Sequence, residues 1–493
     1  MTATITASTA TTAPELEEIL AAAQQAAGPW GALRPAQRAD MLDAVASALD
    51  AAASELVPLA AQETHLGEAR LAGELKRTTF QLRLFGRVLR DGAYLDARID
   101  HADPEWPMGA PRPDLRRTLR PLGPVLVFAA SNFPFAFSVA GGDTASALAA
   151  GNPVLLKVHS GHPELSARTG RIVESALREA GAPDGVFALV RGLEAGGAAL
   201  RDPRIKAASF TGSIPGGRAL MDIAVSRPEP IPFYGELGSN NPVFVTPRAA
   251  AARGAQIAGE FIASFTLGAG QFCTKPGTII VPAGSGMVGH LRSAALPQGA
   301  RLLNGRIHSG YVESLQQLSA HPHVSILAQG PDPLSDAPSP TLLLTRAEHV
   351  LAAPRELEAE CFGPTAVVVE YADESQLVPL ARTFEGQLAA TIQGEDDCAR
   401  ETGLVTELVQ VLAEKAGRVL WNQWSTGVSV TYAQQHGGPY PATTAPGTTS
   451  VGTAAIERFL RPVAFQGFPQ HLLPEALQDS NPLSLPRMVN GQR

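Results

Sequence analysis

The chain has 493 residues, of which 45% are hydrophobic and 17% charged, and its formal net charge is −8. This length predicts two or three domains with sizeable cores, and an acidic chain without a basic stripe argues against a nucleic-acid partner. The three cysteines, Cys273, Cys361 and Cys398, show no C-x-x-C spacing, so we expect no disulfide framework and a reducing, cytoplasmic setting.

The chain begins with a tail and a helical region. Residues 1–13 contain neither Lys nor Arg and no apolar run, so we expect a disordered tail and neither a secretory signal nor a transit peptide. Residues 14–93 are rich in Ala and Leu at helical spacing. The Pro- and Arg-rich segment 101–121 is typical of a linker, or of an arm that packs on another subunit.

Apolar segments that alternate with helical patterns follow. We predict strands at 124–129, 153–158, 185–190, 206–212 and 230–238. Between them we predict helices over 134–150 and about 163–180, a short helical piece, and a helix from residue 216. This alternation predicts a doubly wound parallel sheet, which binds ligands at the carboxyl ends of its strands. The nearly uncharged stretch 123–156 is interrupted by Asn132, Pro134 and Asp143, so we expect no membrane helix there.

A second α/β pattern runs from about 239 to 440 and includes predicted strands at 242–246, 277–282 and 364–371. Residues 454–469 indicate a helix followed by an edge strand. Gly284 to Gly289 matches G-x-G-x-x-G, the dinucleotide fingerprint. The next acidic residue, Glu313, is poorly placed for that role, so we interpret the match as an ordinary strand-to-helix turn.

Cys273 lies in the run GAGQFCTKPG, where we expect an apolar helix to break at Gly268 and Gly270 and leave the thiol on an exposed turn. Such a thiol could be a nucleophile, which needs an activating environment, or a structural core residue. A metal ligand is disfavoured because no other Cys or His lies nearby at ligand spacing. Cys361 and Cys398 are typical of ordinary buried or surface residues.

Three polar residues end or follow predicted strands of the parallel sheet. Glu236 could be a partly buried general base with a raised pKa, or a surface residue at a turn. Asn132 could hold an oxyanion with its amide, or cap a helix before Pro134. Lys157 could contact a nucleotide ribose or phosphate, or remain solvated.

Two further short patterns accompany these strand ends. Thr211, Gly212 and Ser213 open a predicted helix, whose N–H groups could hold a pyrophosphate or could require only an N-cap. His159 and His162 are spaced H-x-x-H, but no third ligand is evident. We therefore expect no metal site.

Taken together, six motifs resemble the aldehyde dehydrogenase superfamily from about residue 15 to 470 and occur in the family's order. They are SNFP (131–134), KVHS (157–160), FTGS (210–213), ELG (236–238), GQFCT (270–274) and ECFGP (360–364). The resemblance implies an aldehyde dehydrogenase-like α/β fold with a Rossmann-type parallel-sheet cofactor domain, an α/β catalytic domain and a small oligomerisation arm. The implied ranges are 1–13 for the tail, 14–100 and 122–238 for the cofactor-binding domain, 239–440 for the catalytic domain, and 101–121 with 441–493 for the arm and C-terminal segment.

The resemblance also implies roles for single residues. Cys273 would be the nucleophile, Glu236 the general base and Asn132 the oxyanion amide. The implied cofactor-binding residues are Lys157, His159, Ser160, Gly212, Ser213, Gly217, Leu237, Glu360 and Phe362. The implied substrate-contacting residues are Phe133, Phe137, Phe272 and Thr274. The partners would be a small aldehyde and further copies of the chain, in a homodimer or homotetramer.

The expected cofactor is NADP, with NAD as the alternative. Ser160 stands where many NAD-preferring members of the superfamily carry Glu, whose carboxylate would repel a 2′-phosphate. Lys157 can pair with that phosphate, and His159 and Arg191 are weaker candidates to help.

The residues around the first strand and Cys273 are similar to an NADP-dependent branch that contains α-ketoglutaric semialdehyde (2,5-dioxopentanoate) dehydrogenases and long-chain aldehyde dehydrogenases. This implies oxidation of 2,5-dioxopentanoate to 2-oxoglutarate, or of a longer aldehyde. The alternatives are a CoA-acylating enzyme, which Glu236 disfavours, a non-catalytic member, and a cysteine hydrolase, for which no histidine is placed by sequence to pair with Cys273. Arg77 and Arg83 could bind a distal carboxylate, or could be solvated helix residues.

Two segments depart from the superfamily's usual pattern. Ser239 follows ELG where a second glycine is usual, and HGGPYPATT (436–444) replaces a Gly-Gly-x-Lys-x-Ser-Gly stretch. The second lies near the substrate mouth in relatives, so it bears on the choice of aldehyde more than on the chemistry.

Overall fold

The computed structural model describes residues 10–396 and 401–492, and Cys398 lies outside them. In chain order the α-helices are α1 Ala13–Ala32, α2 Pro35–Ala51, α3 Ala53–Thr64, α4 Glu68–Asp91, α5 Gly142–Ala150, α6 Pro163–Glu179, α7 Leu193–Arg201, α8 Ile214–Val225, α9 Pro247–Thr266, α10 Met287–Ser293, α11 Gly305–Ala320, α12 Ala347–Ala352, α13 Pro354–Leu357, α14 Leu377–Thr383 and α15 Thr402–Lys415.

The strands form three sheets. In chain order they are β1 Arg98–Asp100, β2 Leu115–Pro121, β3 Val125–Phe128, β4 Val154–Lys157, β5 Phe187–Val190, β6 Ala207–Thr211, β7 Phe233–Glu236, β8 Val243–Val245, β9 Thr278–Pro282, β10 Ser325–Gln329, β11 Thr341–Arg346, β12 Thr365–Tyr371, β13 Gln387–Gln393, β14 Ala416–Trp421, β15 Leu460–Gln466 and β16 Met488–Val489.

The first sheet has the order β5-β4-β3-β6-β7, and all of its strands are parallel. The predicted doubly wound parallel sheet is therefore confirmed. Because the strand order reverses between β3 and β6, a crevice opens there at the carboxyl ends. Every side chain of β3 is buried, as expected for a parallel strand with helices on both faces. This crevice receives the residues that follow β3, β4, β6 and β7.

One predicted helix is shorter than expected. Residues 134–150 were predicted to be helical throughout, but α5 begins only at Gly142. The preceding residues form turns, in which the N–H groups of Phe135 and Ala136 donate to the Glu74 carboxylate at 2.8 and 3.0 Å. A side chain at Gly141 would also place its Cβ 2.5 Å from the Ala136 carbonyl oxygen. A buried carboxylate from a distant helix thus outweighs local helix propensity.

The second sheet has the order β10-β11-β12-β9-β8-β13-β14, and only the β10–β11 pair is antiparallel. It contains all three strands predicted in this half. Helix α9 leads into a 3₁₀ turn at Leu267–Gly270, where Gly268, Ala269 and Gly270 all have φ between 55° and 69°. The predicted break of the helix before Cys273 is therefore present.

The third sheet, β15-β2-β1-β16, joins the predicted arm to the C-terminal segment. Strand β15 lies at its edge, as predicted, and pairs antiparallel with β2. The helix expected before β15 is a 3₁₀ element, Thr453–Phe459. Residues 10–13, assigned to the tail from sequence, are ordered, because Thr11 donates its N–H to the Arg191 carbonyl at 3.0 Å and Thr12 caps α1.

Among the described helices, no single one is long and apolar enough to cross a membrane. Helices α2 and α3 pass that test only as a pair, and they are bent by 71° at their junction.

Candidate active site

Glu236, Cys273 and His436 lie together beside the carboxyl end of β7. Nε2 of His436 is 2.9 Å from Oε1 of Glu236 and 3.7 Å from Sγ of Cys273. The side chains of His436 and Glu236 are only 1% and 3% exposed. A buried carboxylate and imidazole in contact with the thiol of the half-buried Cys273 form a set through which a proton can move between sulfur, nitrogen and oxygen.

His436 is the functional candidate that sequence reasoning missed. It lies 163 residues after Cys273, in the segment 436–444 that was noted only as a departure from the superfamily pattern. The expectation that no histidine is placed to pair with Cys273 was wrong. The sequence did offer one indication of His436. A segment near the substrate mouth that departs from the superfamily pattern can place a different functional group at the site.

Backbone hydrogen bonds hold this segment against β7. The Leu237 N–H donates to the Ala442 carbonyl at 2.8 Å, and the Thr444 N–H donates to the Gly235 carbonyl at 3.0 Å. Further along, Ser450 donates its hydroxyl to Oε2 of Glu236. The His436 carbonyl in turn accepts from the Ser450 N–H at 2.8 Å. The histidine is therefore fixed by the same contacts that fix the carboxylate.

The pKa of Glu236 is lowered from its ordinary value, whereas the general-base interpretation of the sequence allowed a raised one. Burial raises it, but the charge of His436 and hydrogen bonds from His436, Ser450 and Cys273 outweigh burial. For Cys273, burial and the neighbouring Glu236 carboxylate raise the pKa well above the usual range for a thiol. The resting arrangement is thus an ionised carboxylate beside a neutral thiol.

Asn241 and Ser239 fix the loop that carries the thiol. The Asn241 side-chain amide donates to the carbonyls of Cys273 and Lys275, both at 2.9 Å. Ser239 donates to Oδ1 of Asn241 at 2.8 Å and contacts Oε1 of Gln387 at 3.0 Å. The serine that replaces the usual second glycine therefore orients the amide beneath the nucleophile loop.

Lys275 connects the nucleophile loop to the motif ECFGP. Its ammonium group is buried and donates to the carbonyls of Cys361, Gly363 and Thr365 at 2.6, 3.2 and 2.8 Å. A Cβ at Gly270 would lie 2.0 Å from the Gly363 carbonyl oxygen. Sequence reasoning gave Lys275 no role, although it holds two motifs of the site together. Cys361 is buried beside this contact, as an ordinary core residue.

Asn132 lies beside the same loop. Its amide donates to the Gln271 carbonyl at 3.1 Å, two residues before Cys273. The backbone carbonyl of Asn132 accepts a hydrogen bond from Nη2 of Arg70 at 2.8 Å. The amide is therefore positioned close to the nucleophile, although it is bonded to the main chain in this structure.

The predicted substrate-contacting residues surround the entrance to Cys273. The ring of Phe133 contacts those of Phe137 and Phe272 edge to face, at centroid distances of 5.4 and 5.2 Å. Phe137 also lies 6.4 Å from the ring of His436. Thr274 is buried, and its carbonyl accepts from the Ser425 hydroxyl at 2.7 Å. The three aromatic rings and the thiol thus share one apolar approach.

The first turn of α8 lies at the crevice between β3 and β6. Ser213 caps this helix by accepting from the Gly216 N–H at 3.4 Å, and both Gly212 and Ser213 are exposed. A Cβ at Gly217 would lie 2.1 Å from Cδ2 of Leu237. The small residues let the helix approach the sheet, and the open first turn fits a pyrophosphate.

Lys157, His159 and Ser160 follow β4 at the same edge. Burial and the charge of Arg306 lower the pKa of Lys157, and burial with His162, Lys157 and Arg306 lowers the pKa of His159 to about 3. Ser160 is exposed. Lys157 and Arg306 form a cationic edge here, and position 160 carries no carboxylate, which fits an anionic group of a nucleotide.

His162 is a core residue. Its ring nitrogens contact the Ala130 carbonyl and the Ser166 hydroxyl, both at 3.0 Å. The glycine pattern at Gly284–Gly289 forms the turn between β9 and α10 in the second sheet, away from the crevice of the first.

Glu360 is half-buried near Gly238, where a Cβ would come within 2.3 Å of Oε2. Burial raises the pKa of Glu360 to about 7, although the charge of Lys275 and a hydrogen bond from the Ser239 N–H act in the opposite direction. Phe362 follows two residues later and is partly exposed. The glycine of ELG therefore leaves room for this carboxyl group.

The same geometry also resembles a metal centre. One ligand-type atom from each of Glu236, Cys273 and His436 lies within 4.8 Å of the other two. Distances alone therefore allow either a nucleophile with its proton acceptors or a three-ligand metal site, and the family of the chain decides between these interpretations.

The doubly wound parallel sheet, with a buried carboxylate and imidazole and a half-buried thiol beside the end of β7, is typical of an α/β enzyme. Residues 2–290 match the aldehyde dehydrogenase family. The chain is 44% identical to α-ketoglutaric semialdehyde dehydrogenase 2 of Azospirillum brasilense and to α-ketoglutaric semialdehyde dehydrogenase of Acinetobacter baylyi, and each match covers 97% of this chain and 91% of the relative. The chain belongs to the aldehyde dehydrogenase family, whose members are NAD(P)-dependent oxidoreductases.

A solved structure agrees with this fold. The 1-pyrroline-5-carboxylate dehydrogenase from Thermus, determined with bound NAD, superposes with a TM-score of 0.75 at 19% identity. The superposition covers 92% of this chain and 85% of that one. The predicted aldehyde dehydrogenase fold and family are thus confirmed.

Proposed function

We propose that this enzyme oxidises 2,5-dioxopentanoate to 2-oxoglutarate with NADP, using Cys273 as nucleophile. The observation that carries the chemistry is the contact of Cys273, Glu236 and His436. The substrate is supported by the names of the two relatives at 44% identity.

Each step uses a group of the site. As Sγ of Cys273 bonds to the aldehyde carbon, the thiol proton passes to the Glu236–His436 pair, and the amide of Asn132 with the Cys273 N–H holds the oxyanion. A nicotinamide held by Glu360 and Phe362 would supply the hydride acceptor for the thiohemiacetal carbon, and Cys273 would then carry the thioester. The Glu236–His436 pair releases the thiol proton to solvent, so Glu236 is ionised again when water attacks the thioester and takes one proton from that water. That proton passes to the sulfur as the carboxylic acid leaves.

The residues present fit NADP at the crevice. The first turn of α8 would hold the pyrophosphate, Lys157 and Ser160 the adenosine ribose with its 2′-phosphate, and Glu360 with Phe362 the nicotinamide ribose and ring. Arg306 adds a positive charge beside Lys157, which favours a phosphate.

The chemistry is tested with Cys273→Ala. We expect that purified wild-type protein reduces NADP in the presence of 2,5-dioxopentanoate, followed at 340 nm, and that Cys273→Ala abolishes this turnover with an unchanged circular dichroism spectrum. Turnover by Cys273→Ala at a wild-type rate would end the assignment of the nucleophile.

Cofactor preference is tested by the ratio of kcat/KM for NADP and NAD. We expect the ratio to favour NADP, and Ser160→Glu to reverse it by about 100-fold, because the new carboxylate repels the 2′-phosphate. A wild-type enzyme that strongly prefers NAD would contradict the proposal.

Long-chain aldehydes are the second candidate substrates, because Phe133, Phe137 and Phe272 line the approach to the thiol. A panel that compares oxo acids of increasing length with unsubstituted aldehydes of the same lengths decides between the two classes. Release of acyl-CoA when CoA is supplied would instead identify a CoA-acylating enzyme.

We further propose that the enzyme is a cytoplasmic homodimer or homotetramer. Strand β15 pairs with β2 on one side only, and Phe468 and Leu472 are exposed just after it. An edge strand beside exposed apolar side chains favours pairing with a second copy. Size-exclusion chromatography coupled to light scattering measures the oligomeric state, and a monomer would contradict the proposal.

A further inference from the structure

Helix α4 directs two arginines toward the nucleophile. Arg70, Glu74 and Arg77 are spaced by four and three residues, so they share one face of the helix. Arg70 reaches the loop before Cys273, since a Cβ at Gly268 would lie 2.6 Å from its Nη1. The guanidinium carbon of Arg77 lies 5.3 Å from the ring centroid of Phe137. The same face of α4 thus borders the aromatic approach to the thiol.

Arg70 fixes the walls of this approach. Its guanidinium carbon lies 5.1 and 4.7 Å from the ring centroids of Phe133 and Phe272, distances typical of cation–π contacts. Nη2 donates to the Asn132 carbonyl at 2.8 Å. Nη1 is buried and, among the described residues, has no hydrogen-bond partner. One donor of Arg70 thus holds the oxyanion loop, and the other has no protein acceptor.

Arg77 is a half-buried cation near Cys273 and Glu236. Burial lowers its pKa, while electrostatic interactions with Glu74, Cys273 and Glu236 act in the opposite direction. Within the part of the chain that the structure describes, its guanidinium group makes no hydrogen bond and no salt bridge. A partly desolvated charge without an ionic partner can accept an anion at a small desolvation cost, so a carboxylate that reaches Arg77 would bind with a gain in free energy.

Glu74 does not neutralise both arginines. Its Oε1 accepts from the N–H groups of Phe135 and Ala136, and burial raises its pKa. Two guanidinium groups therefore face one carboxyl group whose charge is disfavoured. The α4 side of the approach to Cys273 therefore keeps a positive balance, which an incoming carboxylate can meet.

Arg83, the other candidate from the sequence, lies elsewhere. Its Nη2 is 2.8 Å from Oδ2 of Asp50 and 3.4 Å from the Ser47 hydroxyl, and its side chain is 41% exposed. It already has an anionic partner at the surface, so it is a matched control on the same helix.

We propose that Arg77 binds the distal carboxylate of the substrate, with Arg70 as a positioning residue, so that the enzyme selects aldehydes that carry a carboxylate at the far end. The inference rests on the proposed function and deepens it, because it assigns the residue that recognises the acid end of an oxo acid. Arg77→Lys should restore part of the selectivity, since it retains charge but loses the planar fork.

The test compares a charged and an uncharged aldehyde of equal length, 5-oxopentanoate and pentanal, in wild type, Arg77→Met and Arg83→Met. For Arg77→Met we expect kcat/KM to fall about 50-fold for 5-oxopentanoate and to stay within about threefold for pentanal, because a charge-assisted pair is lost for the acid alone. Arg83→Met should behave as wild type with both.

The two hypotheses fail in different ways. A wild-type enzyme that does not prefer 5-oxopentanoate to pentanal would overturn the proposed substrate class. The result could also be that the wild-type enzyme prefers the acid but Arg77→Met lowers kcat/KM equally for both substrates. That result would overturn only the role of Arg77. In that case the cation acts on the thiol or on the fold, without recognising the carboxylate.

A second measurement needs no variant. Glutarate should slow the alkylation of Cys273 by iodoacetamide in the wild-type enzyme, with a rate that falls at least about fivefold at saturation. The uncharged 1,5-pentanediol, of the same length, should leave the rate of alkylation unchanged. Equal protection by both compounds, or by neither, would overturn the carboxylate subsite.

Discussion

Two carboxyl groups of the site, the buried Glu236 and the half-buried Glu360, differ in charge although burial raises the pKa of both. Glu236 has a lowered pKa because His436, Ser450 and Cys273 outweigh its burial. Glu360 has a pKa raised to about 7, because Lys275 and one backbone donor do not compensate for burial. Burial alone therefore does not set the charge of an active-site acid; the number and charge of its partners do.

The difference matches what each group would do. A general base must be ionised when water attacks the thioester, so its carboxylate needs partners in the resting enzyme. A ribose-binding carboxylate gains its partners only when the ribose hydroxyls arrive. Each prediction below changes one of these two carboxyl groups or one of its partners, in order of decreasing effect.

The largest effect is expected for Glu236→Gln. The amide keeps the shape but cannot accept a proton from water, so the thioester should accumulate after one hydride transfer. We expect a burst of about one NADPH per active site followed by steady-state turnover about 10³-fold below wild type. Rapid mixing at 340 nm measures both phases, and steady-state turnover like wild type would remove Glu236 from the base role.

His436→Gln should have the next largest effect. Without the imidazole, burial is opposed only by hydrogen bonds, so the pKa of Glu236 should rise and the carboxylate should form only at higher pH. We expect kcat to fall by about 100-fold at pH 7 and to recover partly as the pH rises, so that the acid limb of the pH profile moves upward. An unchanged acid limb would show that His436 does not set the charge of Glu236.

The sequence was sufficient for the parts of the site that follow strands. Asn132, Lys157, Ser213 and Glu236 come directly after or at the ends of β3, β4, β6 and β7, and parallel strands bring their carboxyl ends to one edge. Once the strands were predicted, the parallel topology alone implied that these four residues lie at the same edge of the sheet. Their catalytic and binding roles remain predictions.

The contacts that the sequence did not reveal are made by irregular segments. His436 reaches Cys273 across 163 residues from a segment without regular secondary structure. Lys275 and Asn241 act by donating to backbone carbonyls, which leave no pattern in a sequence. The sign of the Glu236 pKa shift was missed for the same reason, since it depends on His436 and Ser450.

The smallest effect is expected at Glu360, in the pH dependence of cofactor binding. The carboxyl group titrates near pH 7 in the free enzyme, and its ionised form accepts hydrogen bonds from ribose hydroxyls. The dissociation constant for NADPH should therefore increase as the pH falls through 7, by about threefold to tenfold between pH 8 and 6. Quenching of protein fluorescence measures this without turnover.

Glu360→Gln and Glu358→Gln separate this effect from a general response to pH. Burial also raises the pKa of Glu358 to about 7, but its carboxylate faces the Thr383 hydroxyl rather than Gly238. Glu360→Gln should bind NADPH several-fold more weakly at pH 8 and show a flat pH profile over this range. Glu358→Gln should keep the wild-type profile. A profile that becomes flat in Glu358→Gln, or persists in Glu360→Gln, would place the titrating group elsewhere and would remove the contrast with Glu236.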